Sequence, residues 1–130
     1  SAYESGRALN PALVQGQITG GAWMGVSHAL YETTAPYYPA IEHSPADFTN
    51  YLMPGAQELP EIESKVLEIP SANGPYGMKG VGEMTANSPI PAIANAITDA
   101  IGVQITELPI TPEKILKALE ERDAQAQEAA

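Results

Sequence analysis

The sequence predicts an α+β domain, with three helices packed on a mixed sheet, and three observations lead there. Apolar residues recur at helix spacing over residues 12–33, 88–101 and 111–122. Short β-type runs at 48–53, 62–69 and 103–108 lie between them. Twelve prolines and eleven glycines divide the remainder into turns, which argues against a bundle. At 130 residues the chain suits one domain with a core and is short for two, so 1–130 reads as a single domain. Residues 121–130 are charged and Ala/Gln-rich, a frayed tail.

Charge and composition narrow the function. Six basic against sixteen acidic side chains give a net charge of −10, which opposes phosphate backbones and anionic membranes. Neither nucleic acid nor membrane is an expected partner. The absence of cysteine rules out disulfides, thiolate zinc sites and cysteine-ligated iron–sulfur clusters within the chain. No apolar run approaches the ~20 residues of a membrane span, and no basic-then-apolar leader opens the sequence. The expected setting is soluble and cytoplasmic.

Taken in order, residues 1–10 are polar and lack helical periodicity. Asn10-Pro11 then signals helix entry, with Asn as cap and Pro in the first turn. Ile18, Ala22, Val26, Ala29 and Leu30 define the apolar face of the first helix. Gly16, Gly20, Gly21 and Gly25 interrupt it, each costing up to about 1 kcal/mol of helix propensity relative to Ala. Such a cost implies close backbone approach, either to a cofactor and its loops or to a packed sheet. Trp23 and Met24 read as core before pocket. His28 has no second ligand at a local metal spacing, so it reads as a hydrogen-bonded structural histidine and no metal ligand is assigned.

Residues 34–47 carry Pro36, Tyr37, Tyr38, Pro39 and Pro45 and read as loop or edge strand. The run 48–53 ends at Pro54-Gly55, a strand-to-turn signal, and Pro70 stops the better strand at 62–69. Glycines at 74, 77, 80 and 82 follow, placed for positive φ and close approach, and Glu83 closes the run. Ser88 reads as an N-cap with Pro89 behind it, Ile93, Ile97, Ala100 and Ile101 as an apolar stripe, and Gly102 as the stop. Thr111 and Pro112 open a last helix with Ile115, Leu116 and Leu119 inward. There is no repeat, heptad array or P-loop, since Lys79 precedes its glycines.

The glycine loop carries the chemistry. A carboxylate presented by a compact loop at a strand-to-helix junction is a candidate general base; the plainer alternative is a surface Glu on a Gly-rich turn. Backbone amides at such a junction also favour anionic groups.

Several segments, in order and spacing, resemble the C-terminal part of the molybdopterin-binding subunit of the xanthine oxidase and aldehyde oxidase family of molybdenum hydroxylases. They are Gly6-Arg7-Ala8-Leu9-Asn10-Pro11, Val14-Gln15-Gly16-Gln17-Ile18-Thr19-Gly20-Gly21, Tyr51-Leu52-Met53-Pro54, Lys79-Gly80-Val81-Gly82-Glu83 with Ser88 to Ile97, and Thr106 to Glu113. The likeness spans about residues 5–120. It implies the fold of the family's molybdenum cofactor-binding domain. It implies Glu83 as general base for metal-hydroxide attack on a substrate carbon, with Gly80, Val81, Gly82 and Gln17 beside a molybdenum–pterin cofactor, as molybdopterin or its cytosine dinucleotide. Met78 stands where the family often has a smaller residue.

The resemblance further implies partners: the remainder of the molybdopterin subunit, iron–sulfur and flavin (FAD) domains or subunits, and a small-molecule substrate. The chain alone is then expected to be inactive, and it reads as an excised part rather than a split subunit. For Glu83 to work as a base, it is expected to be partly buried with few competing cations; Lys79 either pairs with it or points away. Two rivals stand beside this reading. One is a non-catalytic assembly or structural domain of the same family, the other an unrelated acidic module with a glycine-rich ligand loop.

Overall fold

The computed structural model describes residues 1–32, 48–49 and 51–128. The expected loop at 34–47, with its tyrosines and His43, therefore lies outside the described residues. Among those described, the α+β class holds, with a sheet reduced to two short strands.

The chain opens on β1 (Ala2–Glu4), where the sequence offered only a polar lead-in. It pairs in parallel with β2 (Lys65–Leu67): Ala2 opposite Lys65, Tyr3 opposite Val66, Glu4 opposite Leu67. Lys65 N–H to Ser1 O at 2.8 Å and Ser5 N–H to Leu67 O at 3.0 Å close the two ends of the ladder. An isolated antiparallel bridge joins Gly6 to Met78 beside it. The strand expected at 62–69 is thus cut to the length that β1, its one partner among the described residues, can satisfy.

Helix α1 (Pro11–Leu30) starts as its sequence signals, with Asn10 Oδ1 accepting the Leu13 N–H at 3.1 Å and Pro11 in the first turn. It stops three residues before the expected end at Thr33, because the Tyr31 and Glu32 N–H groups both turn back onto Ser27 O, at 2.8 and 2.9 Å. A short helix, α2 (Met84–Asn87), runs directly into α3 (Pro89–Ile101). Ser88 is therefore helical itself (φ −76, ψ −33) and makes no cap hydrogen bond; its Oγ meets the Tyr3 hydroxyl instead. Gly102 ends α3 at φ 72, a conformation glycine adopts without penalty.

Two expected strands do not form. Over the described part of 48–53, Phe48 is 77% exposed and the segment is held by the Tyr51 hydroxyl, which donates to Glu32 Oε2 at 2.7 Å. Residues 103–108 have no strand partner among the described residues; beyond them the Ile110 N–H donates to Ala29 O at 2.7 Å, pinning the chain to the end of α1. Thr111 then caps α4 (Pro112–Glu128), its Oγ1 accepting from Lys114 N–H at 3.4 Å. Ile115 and Leu119 are half-buried, but Leu116 is exposed, against expectation, because α4 touches its neighbours along one narrow edge. Arg122 Nη1 donates to Ile101 O at 2.8 Å and ties α4 to the end of α3.

The core lies where α1 meets α2, α3 and the 109–110 turn. Ile18, Ala22, Ala29, Ala86 and Ile110 are its buried aliphatic side chains among the described residues, with Thr85 fully buried beside them. Two α1 glycines permit this packing. A Cβ on Gly21 would stand 1.7 Å from Thr85 Oγ1, and one on Gly25 2.4 Å from Ala86 O. The close approach inferred from sequence is thus to a helix, not to a sheet, at these two positions.

Candidate functional site

Glu83 immediately precedes α2, in helical backbone (φ −74, ψ −3). Its carbonyl accepts the Ala86 N–H at 2.9 Å, while its carboxylate has no hydrogen bond or ion pair among the described residues. The side chain is exposed, so the partial burial expected of a base is not provided by this chain. The reason is placement. The loop 79–83 lies on the outer surface, and α2 turns inward only at Thr85 and Ala86.

Thr85 is the anchor that sequence reasoning missed. Its Oγ1 donates to Gln17 O at 3.1 Å and lies 3.4 Å from Gly82 O, so one hydroxyl links α1 to the loop two residues from Glu83. The Tyr3 hydroxyl adds a bond to Thr85 O at 3.1 Å, joining β1 to the same point. The clue available in the sequence was Gly21, whose missing side chain makes room for the threonine.

Of the four positions assigned to cofactor contact, Gln17 and Val81 come together at the lining of one cavity of about 260 Å³, with Arg7, Leu9, Leu13 and Val14. Gln17 is exposed and Val81 half-buried. Glu83 is not among the residues lining this cavity. Gly80 and Gly82 differ from expectation: of the loop glycines only Gly77 takes a positive φ, at 82. Gly74 is sterically required, since a Cβ there would meet Met78 O at 2.1 Å. Gly80 and Gly82 have neither reason, with nothing within 4 Å of a Cβ built on either.

Lys79 points away from Glu83 and ion-pairs with Glu4 Oε2. This pair, followed by the Gly6 N–H, holds the Glu4 carboxyl below its ordinary value. His28 is exposed and stands 3.9 Å from Glu32 Oε2. No group of three or more His, Asp or Glu side chains among the described residues is arranged to hold a metal ion.

The loop glycines Gly80 and Gly82 and the side chain of Gln17 are exposed and leave backbone and carboxamide open to a ligand. Comparison with known proteins carries the point further. Residues 1–60 match the model of a molybdopterin cofactor-binding domain. The chain is 43% identical over 115 residues to the gamma subunit of the 6-hydroxypseudooxynicotine dehydrogenase complex of Paenarthrobacter nicotinovorans, covering 86% of this chain and 14% of that protein. It is 37% identical over 114 residues to the xanthine dehydrogenase molybdenum-binding subunit of Escherichia coli O157:H7, covering 87% of this chain and 15% of the subunit. It superposes on quinoline 2-oxidoreductase from Pseudomonas putida 86 with a TM-score of 0.81 at 32% identity, over 92% of this chain and 16% of that one.

The chain belongs to the xanthine oxidase and aldehyde oxidase family of molybdenum hydroxylases. Within that family it corresponds to part of the molybdenum-binding subunit and spans about 15% of the length of such a relative. The α+β class expected from sequence holds for this chain, and it superposes on a stretch that makes up 16% of the quinoline 2-oxidoreductase chain.

Proposed function

We propose that this chain supplies the proton-accepting edge of a molybdenum hydroxylase active site, completed by the rest of the molybdopterin subunit. Gly80, Val81, Gly82 and Gln17 would hold the near edge of the molybdenum–pterin cofactor, and Glu83 would take up the proton released as a substrate carbon is hydroxylated. When bound, the cofactor supplies Lewis acidity and a two-electron acceptor. Iron–sulfur and flavin domains or subunits would carry the electrons away.

The observation that carries this reading is the pair Gly80 and Gly82. Nothing among the described residues requires glycine at either, by conformation or by packing. A group from outside the chain that approaches the backbone does require it. The carboxylate at the end of this bare stretch has no partner among the described residues, which leaves its oxygens open to a proton, and closing the remaining polypeptide over it would exclude water from the transfer. Gln17 is linked to the same loop through Thr85, so binding on the α1 side and proton transfer on the α2 side share one support.

The test is Glu83→Gln in the complete enzyme. Turnover is expected to fall by roughly 10²- to 10⁴-fold, as for loss of a general base, with molybdenum content near normal. Retained turnover removes Glu83 from the chemistry. It would then favour a purely structural role in the same family, a reading supported by the exposure of Glu83 in the chain alone.

A further inference from the structure

Lys79 stands four positions before Glu83, with two glycines between them. An ammonium so close in a pliant loop is the natural partner of an exposed carboxylate. It is engaged elsewhere. Lys79 Nζ pairs with Glu4 Oε2, and the Lys79 N–H donates to Ser5 O at 3.1 Å, so side chain and backbone are both fastened to the β1 edge.

Glu4 is itself fixed from three directions. Its Oε1 accepts the Gly6 N–H at 2.5 Å and the Ile69 N–H at 3.2 Å, and its backbone sits in the ladder opposite Leu67. The carboxylate that captures Lys79 is therefore preorganised, whereas that of Glu83 has no partner among the described residues.

We propose that Glu4 is a positioning residue for the reaction: by holding the Lys79 ammonium against β1, it leaves the Glu83 carboxylate unpaired and able to accept a proton. This rests on the reading of Glu83 as the base. An ammonium beside a carboxylate lowers its pKa by about 1–3 units, so releasing Lys79 weakens the base and slows proton transfer on the order of tenfold.

The experiment compares Glu4→Gln, Glu4→Gln with Lys79→Met, and Glu83→Gln in the complete enzyme, reading kcat, KM, molybdenum content and thermal midpoint. Glutamine keeps an oxygen for the Gly6 and Ile69 amides and removes the charge that holds Lys79. Glu4→Gln is expected to lower kcat on the order of tenfold with KM and molybdenum content little changed, and adding Lys79→Met is expected to restore most of it. A scaffold role alone gives no rescue, because a second substitution cannot rebuild the lost contact. The proposal is overturned if Glu4→Gln keeps full kcat, or if the double variant is no faster than the single one. Loss of turnover in Glu83→Gln alongside an unaffected Glu4→Gln overturns the role of Glu4 alone; retained turnover in Glu83→Gln overturns both readings.

Discussion

Thr85 is fully buried and polar, and two carbonyls on different elements meet its needs. Valine has nearly its shape without the hydroxyl, so Thr85→Val leaves those carbonyls short of a donor and is expected to destabilise the chain by about 1–3 kcal/mol in urea denaturation. Glu4 makes a pH-dependent contribution. Its carboxyl is held low by Lys79 and then by the Gly6 amide, so the stabilisation is present above its ordinary value of 4.5 and is lost as pH falls through the lower folded-state value. The difference in thermal midpoint between the native chain and Glu4→Gln is accordingly expected above 4.5 and should vanish in stronger acid. A difference that persists in acid would assign the effect to packing. No sequence signal marks Glu4, because its partners Ile69 and Lys79 lie 65 and 75 positions away.

Among the elements, α1 divides its glycines by what faces them. Gly21 and Gly25 press on Thr85 and Ala86, and alanine at either forces the helices apart, an overpacking cost of about 1–3 kcal/mol. Gly16 and Gly20 face open space, so alanine there is expected to stabilise the chain by up to about 1 kcal/mol through helix propensity. Opposite shifts in urea midpoint for Gly21→Ala and Gly20→Ala would establish the division. The sequence displayed the cost of all four glycines but not which of them the fold itself uses. The helices were legible because their caps are local: Asn10, Thr111 and Gly102 act within a turn of where they stand. The strands were legible only in part: β2 falls inside the expected run 62–69, whereas Ala2–Glu4 is a strand only by virtue of a partner more than sixty residues on, and 103–108 finds none among the described residues. Gln17 and Val81 line one cavity although 64 positions separate them, a juxtaposition no local pattern encodes, and the exposure of Glu83 likewise depends on how distant surfaces meet.

Across the whole molecule, much apolar surface is left uncovered. Leu13, Ile69 and Leu52 are 67%, 64% and 63% exposed, and α3 has no fully buried residue. A groove of about 670 Å³ between α1, α3 and the 60–63 segment is lined by Ala22, Val26, Ile62, Pro89, Ile93 and Ala96. Such surface is expected to bind the dye ANS when the chain is alone and to lose that binding once the rest of the subunit is supplied. Unchanged dye binding in the mixture would mean that this face stays free. The contact of α1 with α2 also has a consequence for laboratory evolution. Variant libraries confined to the neighbours of Glu83 ask Thr85 and Ala86 to change against a wall that has no slack, so most clones would be lost to misfolding before selection for a new substrate begins. Diversifying positions 17–25 together with 83–86 gives each altered surface a counterpart that can fit it.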